Sequence, residues 1–177
     1  MKAYQLLQNG RKWFLKVANI WIKQKLIDEI LADIEDYSPL ETGGAFFGYH
    51  SKSSDVVITH LIPAGPNAKH KRYSFEPDQE FQLKLMEELY YEKNASVSYL
   101  GDWHSHPTNV SNLSRRDERT LLNIALSASA QCQHPIMMIF GSCPEKWTIN
   151  TVKFTEGKRY FWPLYKCNYE TMTLIVD

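Results

Sequence analysis

A complete disulfide framework is not expected in this chain. Its three cysteines, Cys132, Cys143 and Cys167, are an odd number, and none belongs to a C-x-x-C pair. An excess of one charge sign is also missing: 20 Lys and Arg offset 20 Asp and Glu, leaving a formal net charge of zero. A nucleic-acid binder first shows a basic footprint, so that class of partner is not indicated. No apolar run approaches the length of a membrane span, and the opening Met1-Lys2-Ala3-Tyr4-Gln5 lacks the apolar core of a signal peptide. No membrane partner is expected, and a reducing cytoplasm is the simplest home. Repeats, low-complexity tracts and linkers are absent as well.

What remains is an ordinary globular composition, with 44% hydrophobic and 13% aromatic residues. The 177 residues suit a single domain spanning 1–177, large enough to bury about two-thirds of its unfolded surface. Trp13 to Val17 reads as a first strand. Ile22, Leu26, Ile27, Ile30, Leu31 and Ile34 mark an amphipathic helix that ends before Ser38-Pro39. Thr42–Tyr49 and Asp55–Ile62 read as strands joined by a polar turn at His50–Ser54. Pro77 suits the first turn of a second helix, with Phe81, Leu85, Met86, Leu89 and Tyr90 on one face. Pro135–Gly141 is a short, very apolar strand with a central character. Trp147–Phe154, Gly157–Tyr165 and Thr171–Val176 complete the strands. That order predicts an α+β fold, a mainly β sheet flanked by helices.

The chemistry concentrates at His104-Ser105-His106-Pro107, followed by Ser114 and Asp117. The segment Val97–His106 is β-branched and aromatic enough for a strand, and Pro107 ends it. Side chains alternate along a strand, so His104 and His106 share a face, roughly 6–7 Å apart at their Cα atoms. Leu121, Leu122, Ile124, Ala125 and Ala128 recur at helical spacing, which starts a helix near Ser114 and puts Asp117 in its first turn. Two imidazoles and a carboxylate thus meet from two elements. Three such ligands leave the fourth tetrahedral position of a catalytic zinc open for water. Glu41, upstream in Glu41-Thr42-Gly43-Gly44-Ala45-Phe46-Phe47-Gly48, is then free to move that water's proton. The reading is a zinc hydrolase.

Plainer readings exist for the same residues. Ser114-Arg115-Arg116-Asp117 is also an N-cap serine followed three residues later by an acid. The two uses of Ser114 are compatible, because its backbone can open the helix while its hydroxyl points at the reacting centre. Glu41 alone would pass for a solvated acid in a loop. Asp102 shares the histidines' face and reads either as a polar strand residue or as a hydrogen-bond partner for an imidazole. Trp103 points the other way, toward a core. His50, His60, His70 and His134 have no partners at metal spacing and read as structural or exposed. The connector Pro63–Phe75 is long, carries proline and glycine, and is locally basic; loops of this length are often functional, although charge clusters usually just face water.

An upstream glutamate before a glycine-bearing hydrophobic strand, then H-x-H, seven residues, S, two residues, D, resembles the JAB/MPN (JAMM) metalloproteases. The resemblance runs roughly from Leu40 to Phe140, and Pro107 and Gly48 also agree with it. It implies a cytidine-deaminase-like α+β domain with one zinc per chain, held by His104, His106 and Asp117. It further implies Glu41 as the proton carrier and Ser114 as hydrogen-bond donor to the oxyanion of the tetrahedral intermediate. The substrates it implies are bonds at the C-terminus of a ubiquitin-like protein or its conjugated target. The Pro63–Phe75 connector would then lie near the groove for that extended tail, where a sheet edge can add a strand.

Gly101-Asp102-Trp103-His104-Ser105-His106-Pro107 looks more like a bacterial branch of the family. That branch is encoded beside relatives of ubiquitin-activating and ubiquitin-conjugating enzymes, notably in the antiphage systems called CBASS, and those relatives become candidate partners. Three alternatives stand beside it: a JAB hydrolase processing a sulfur-carrier protein or small peptide, a RadC-type DNA-associated protein, and a zinc-bearing binding adaptor. RadC-type proteins carry an N-terminal helix-hairpin-helix, whereas the first forty residues here show one amphipathic helix. A zinc cytidine deaminase needs P-C-x-x-C, and Cys143-Pro144 has no second cysteine at that spacing.

Overall fold

The computed structural model describes residues 7–8, 11–12, 18–52, 55–107, 111–143, 146–161 and 164–177. The strand expected at Trp13–Val17 lies outside them, as do Ser53 and Ser54 of the first polar turn. Leu7–Gln8 (β1) and Arg11–Lys12 (β2) pair as a short hairpin. Then come β3 (Asn19–Ile22), α1 (Gln24–Tyr37), β4 (Gly43–His50) and β5 (Val56–Ile62). A second hairpin, β6 (Lys69–Lys71) with β7 (Ser74–Glu76), precedes α2 (Gln79–Glu92) and β8 (Ser98–His106). The chain continues through α3 (Arg115–Ala125), β9 (Ile136–Cys143), β10 (Lys146–Arg159), β11 (Tyr165–Thr171) and β12 (Thr173–Val176).

Eight of these strands form one sheet in the order β11-β10-β9-β8-β4-β5-β3-β12. The pairs β8–β9, β3–β5 and β12–β3 are parallel and the others antiparallel. This is an α+β fold. Alternation on β9 shows how the sheet divides its two faces: Ile136, Met138 and Phe140 join the core with α1, while Met137 and Ile139 join the core under α3. Each interior strand buried on both faces must read as continuously apolar, as Ile136–Phe140 does. Helix α1 contributes Ile27, Ile30 and Ile34 at helical spacing. Helix α2 lies over Ala45, Phe47 and Ile62 through Leu85, Met86 and Leu89.

The structure moves several expected boundaries. Ile22 closes β3 rather than opening α1. Pro77 stands ahead of α2; Asp78 is the N-cap, its side chain accepting from the amide of Phe81 at 3.1 Å. Tyr90 leaves the apolar face of α2 and is exposed. Helix α3 stops at Ala125, so Ala128 falls beyond it. The connector Pro63–Phe75 is only partly a loop, because Lys69–Lys71 and Ser74–Phe75 belong to β6 and β7. Gly157–Tyr165 is not a strand of its own. Gly157–Arg159 ends β10, which runs on past an irregularity between Phe154 and Glu156, and Tyr165 begins β11.

Candidate metal centre and its cleft

Strand β8 sits mid-sheet between β4 and β9 and delivers its histidines at its C-terminal end. An irregularity between Phe46 and Phe47 of β4 disturbs the register near Gly101, whose φ of 142° lies in a region open to glycine alone. From Gly101 to His106 the pairing with β9 is regular, so the expected alternation holds there. His104 and His106 share a face and are both nearly inaccessible. Their Nε2 atoms approach to 3.1 Å.

Asp117 reaches them from α3. Its Oδ1 lies 3.3 Å from Nε2 of His104 and its Oδ2 3.5 Å from Nε2 of His106. The start of α3 fixes that carboxylate in place. Ser114 and Asp117 form a reciprocal capping box: the Ser114 amide donates to Oδ2 at 2.7 Å, and the Asp117 amide donates to the Ser114 hydroxyl oxygen at 3.2 Å. The cap reading of this pair is therefore correct, and it leaves the hydroxyl proton of Ser114 available to donate elsewhere. Burial pushes the Asp117 carboxyl up, but hydrogen bonds from the two imidazoles and the Ser114 amide outweigh it. They hold the group well below the usual carboxylate range.

The donor atoms fit a metal. Tetrahedral bonds of about 2.0–2.1 Å separate ligand atoms by about 3.3–3.4 Å. Here the two imidazole Nε2 atoms stand 3.1 Å apart, and a different Asp117 oxygen faces each of them, at 3.3 Å from His104 and 3.5 Å from His106. Two imidazole nitrogens and a carboxylate gathered in this way could hold a divalent metal ion between them.

Glu41 enters from the segment just ahead of β4. Gly43 pairs with His104, Thr42 is bonded to Ser105, and Glu41, the next residue, stands near enough for the His106 and His104 imidazoles to act on its carboxyl. Burial raises its carboxyl above the ordinary value, against the pull of the His106 and His104 imidazoles. Glu41, His104 and Asp117 open onto one cleft of about 760 Å³. Asn67, Lys69, Phe75 and Glu76 of the hairpin region form one wall, and Arg116 and Thr120 of α3 the other. Asp102 lies in the same cleft, and burial pushes its carboxyl up to about 6. Its hydrogen bond comes from the Tyr99 hydroxyl at 2.8 Å rather than from an imidazole. Trp103 is core, 2% exposed.

The structure thus brings all five motif residues to one end of the sheet. Sequence reasoning missed His70, whose Nδ1 lies 3.0 Å from the Glu41 carbonyl oxygen, and Ser105, which pins Thr42. Neither contact has a local spacing to betray it, since both join distant strands.

An α+β sheet with His104, His106 and Asp117 gathered beside Glu41 on an open cleft is a site that could hold a metal ion for hydrolytic chemistry. The chain belongs to the family of prokaryotic homologs of the JAB domain, which matches residues 23–155. It is 36% identical over 129 residues to "Probable metalloprotease y4qB" of Sinorhizobium fredii, covering 72% of this chain and 79% of that one. It is 28% identical over 126 residues to a "CD-NTase/cGAS isopeptidase" of Enterobacter hormaechei, covering 71% and 68%. The solution structure of protein DSY2949 from Desulfitobacterium hafniense superposes with a TM-score of 0.65. That match has 19% identity and covers 89% of this chain and 92% of that one, which speaks for the fold. Among the described residues, no helix is long and apolar enough to cross a membrane.

Proposed function

We propose that this chain is a zinc-dependent isopeptidase or peptidase that hydrolyses the bond after the C-terminus of a ubiquitin-like protein or its conjugated target. The observation that carries the reading is the cluster of His104, His106 and Asp117 with Glu41 beside it on an open cleft. A divalent ion held there supplies a Lewis acid and lowers the pKa of water. Glu41 takes a proton from the attacking water and returns it to the leaving amine as the C–N bond breaks. A carboxyl raised by burial suits both halves of that exchange. Ser114, fixed by its cap, donates its hydroxyl proton to the developing oxyanion.

The relative named CD-NTase/cGAS isopeptidase supports a setting in bacterial antiphage defence, with a conjugated nucleotidyltransferase as substrate. Relatives of ubiquitin-activating and ubiquitin-conjugating enzymes would be its working partners in the cytoplasm.

The test is cleavage of a ubiquitin-like protein fused at its C-terminus to a reporter. Wild type, Glu41→Ala, and protein stripped by a chelator then given zinc back are compared. Cleavage at the fusion point, lost in the variant by a factor of at least about 10² and restored by zinc, is expected. Stoichiometric zinc without cleavage would move the assignment to another substrate or to a binding role.

A further inference from the structure

His70 reads from the sequence as an idle histidine in a basic connector, yet in the fold it touches the backbone of the proposed proton carrier. Its Nδ1 lies 3.0 Å from the carbonyl oxygen of Glu41. A carbonyl can only accept, so Nδ1 bears the proton. The imidazole is itself held on two sides. It stacks on Tyr37 of α1, with ring centroids 3.6 Å apart and planes 11° from parallel, and it leans on Phe75 of β7 at 5.4 Å. The next residue completes the grip: the Glu41 amide donates to the Lys71 carbonyl at 2.8 Å.

Glu41 precedes β4 and has no ladder partner of its own in the sheet. Both of its main-chain polar groups are instead tied to β6, and the ring that ties one of them is braced by α1 and β7. One turn earlier on α1, Asp33 accepts from the hydroxyl of Thr42 at 2.7 Å. Beyond the Thr42–Ser105 exchange, the main chain that presents the carboxylate is therefore fixed by the small hairpin and α1.

We propose that His70 is a positioning residue for Glu41: its Nδ1 proton and its stack on Tyr37 hold the main chain that aims the carboxylate across at His106. The proposal rests on the reading of Glu41 as the proton carrier. It also separates two jobs of the hairpin. A hairpin that only lines the cleft, through Lys69, Phe75 and Glu76, affects substrate binding. A hairpin that clamps Glu41 affects the chemical step.

Three variants distinguish these. His70→Phe keeps a ring for Tyr37 but has no donor. His70→Gln carries its amide beyond the reach of Nδ1. His70→Asn places an amide nitrogen close to where Nδ1 stands. With a ubiquitin-like protein fused at its C-terminus to a reporter as substrate, H70F and H70Q are expected to lose about 10–100-fold in kcat with KM within about twofold. H70N should recover most of the loss, and all three should bind one zinc. Independently of activity, hydrogen exchange at the Glu41 amide should quicken by at least about tenfold in H70F and H70Q, and not in H70N. A raised KM at unchanged kcat, an H70N no better than H70F, or unaltered exchange at Glu41 would each overturn the proposal. Wild type that cleaves nothing strikes at the peptidase reading alone, while the exchange measurement still decides whether His70 clamps Glu41.

Discussion

Ser105 and Thr42 hold each other's main chains across the two central strands. The Ser105 amide donates to the Thr42 carbonyl at 2.9 Å, and the Thr42 amide donates to the Ser105 hydroxyl oxygen at 3.0 Å. Both residues are fully buried. Ser105 separates the two proposed histidine ligands, and Thr42 follows Glu41, so this exchange sets the spacing between proton carrier and metal centre. Ser105→Ala leaves the Thr42 amide without its acceptor in a dry interior. The expected cost is about 1–3 kcal/mol of stability, read by urea denaturation. Zinc stoichiometry should survive, because neither ligand side chain is touched. A loss below about 0.5 kcal/mol would mean that the Thr42 amide finds another partner, and that Ser105 does not set the spacing.

Asp33 gives the same segment a pH dependence in stability. Burial raises its carboxyl above the ordinary value, and the hydrogen bond from the Thr42 hydroxyl pulls only partly the other way. A carboxyl raised by folding is protonated more readily in the folded than in the unfolded state. Stability is then greatest below the unfolded value, near pH 4, and falls as pH rises through the higher folded value. Asp33→Asn can still accept from Thr42 through its amide oxygen but has no charge to bury. The variant should match or exceed wild type in melting temperature at pH 7, and the difference should vanish below about pH 4. A variant less stable than wild type at pH 7 would show that the ionised carboxylate contributes more through Thr42 than burial costs it.

How far the sequence foretold this site depends on the kind of contact involved. His104 and His106 were legible because strand alternation is a local rule and Pro107 marks the strand's end. Asp117 was legible because its capping box occupies four consecutive residues, and the box that starts the helix is the same structure that orients the carboxylate. Glu41 was read from the need for a proton carrier and from the resemblance, because the Thr42–Ser105 exchange and the small hairpin that place it join distant segments. His70 could not be read at all. Its bond to Glu41 spans 29 positions and depends on a small hairpin whose residues Lys69-His70-Lys71-Arg72 look like a solvated basic loop. The miscut of Gly157–Tyr165 has a similar origin. Gly157 looks like a boundary, but it lies inside β10 opposite Cys167, where a methyl group would press on Leu122.

Asp117 serves both the cap of α3 and the proposed metal centre, and two substitutions can separate the roles. Asn at this position can still accept from the Ser114 amide, so the capping box survives, but the negative charge between the imidazoles is gone. Ala removes both. In metal-free protein at neutral pH both variants should be less stable than wild type, because the charge that the imidazoles favour is gone, and Asp117→Ala should lose about 1 kcal/mol more than Asp117→Asn. Zinc content after dialysis, measured by elemental analysis, should collapse in both. If Asp117→Asn retained stoichiometric zinc, the carboxylate would be a structural cap and the third ligand would have to be sought elsewhere.

Gly43 tests how tightly the centre is packed from behind. It pairs with His104 in the middle of the sheet, and a Cβ built there would run into the Trp103 carbonyl oxygen. It would also lie 3.0 Å from Cβ of His104 and 3.0 Å from the Phe75 ring. Backbone cannot yield at that place without opening the β4–β8 ladder, so the strain must pass to His104 or to the hairpin that bears His70. Gly43→Ala is expected to cost about 1–3 kcal/mol in stability, as overpacking of a closed interior does. It should also weaken zinc retention, because His104 shifts relative to His106, 3.1 Å away, and to Asp117, 3.3 Å away. The two effects should appear together, one by denaturation and the other by competition with a chelator. Full stability with weakened zinc would place all of the displacement on His104. Lost stability with unaltered zinc would place it on Phe75 and the hairpin. Neither change would mean that β4 and β8 can part locally without cost, contrary to the close approach of Gly43 to Trp103.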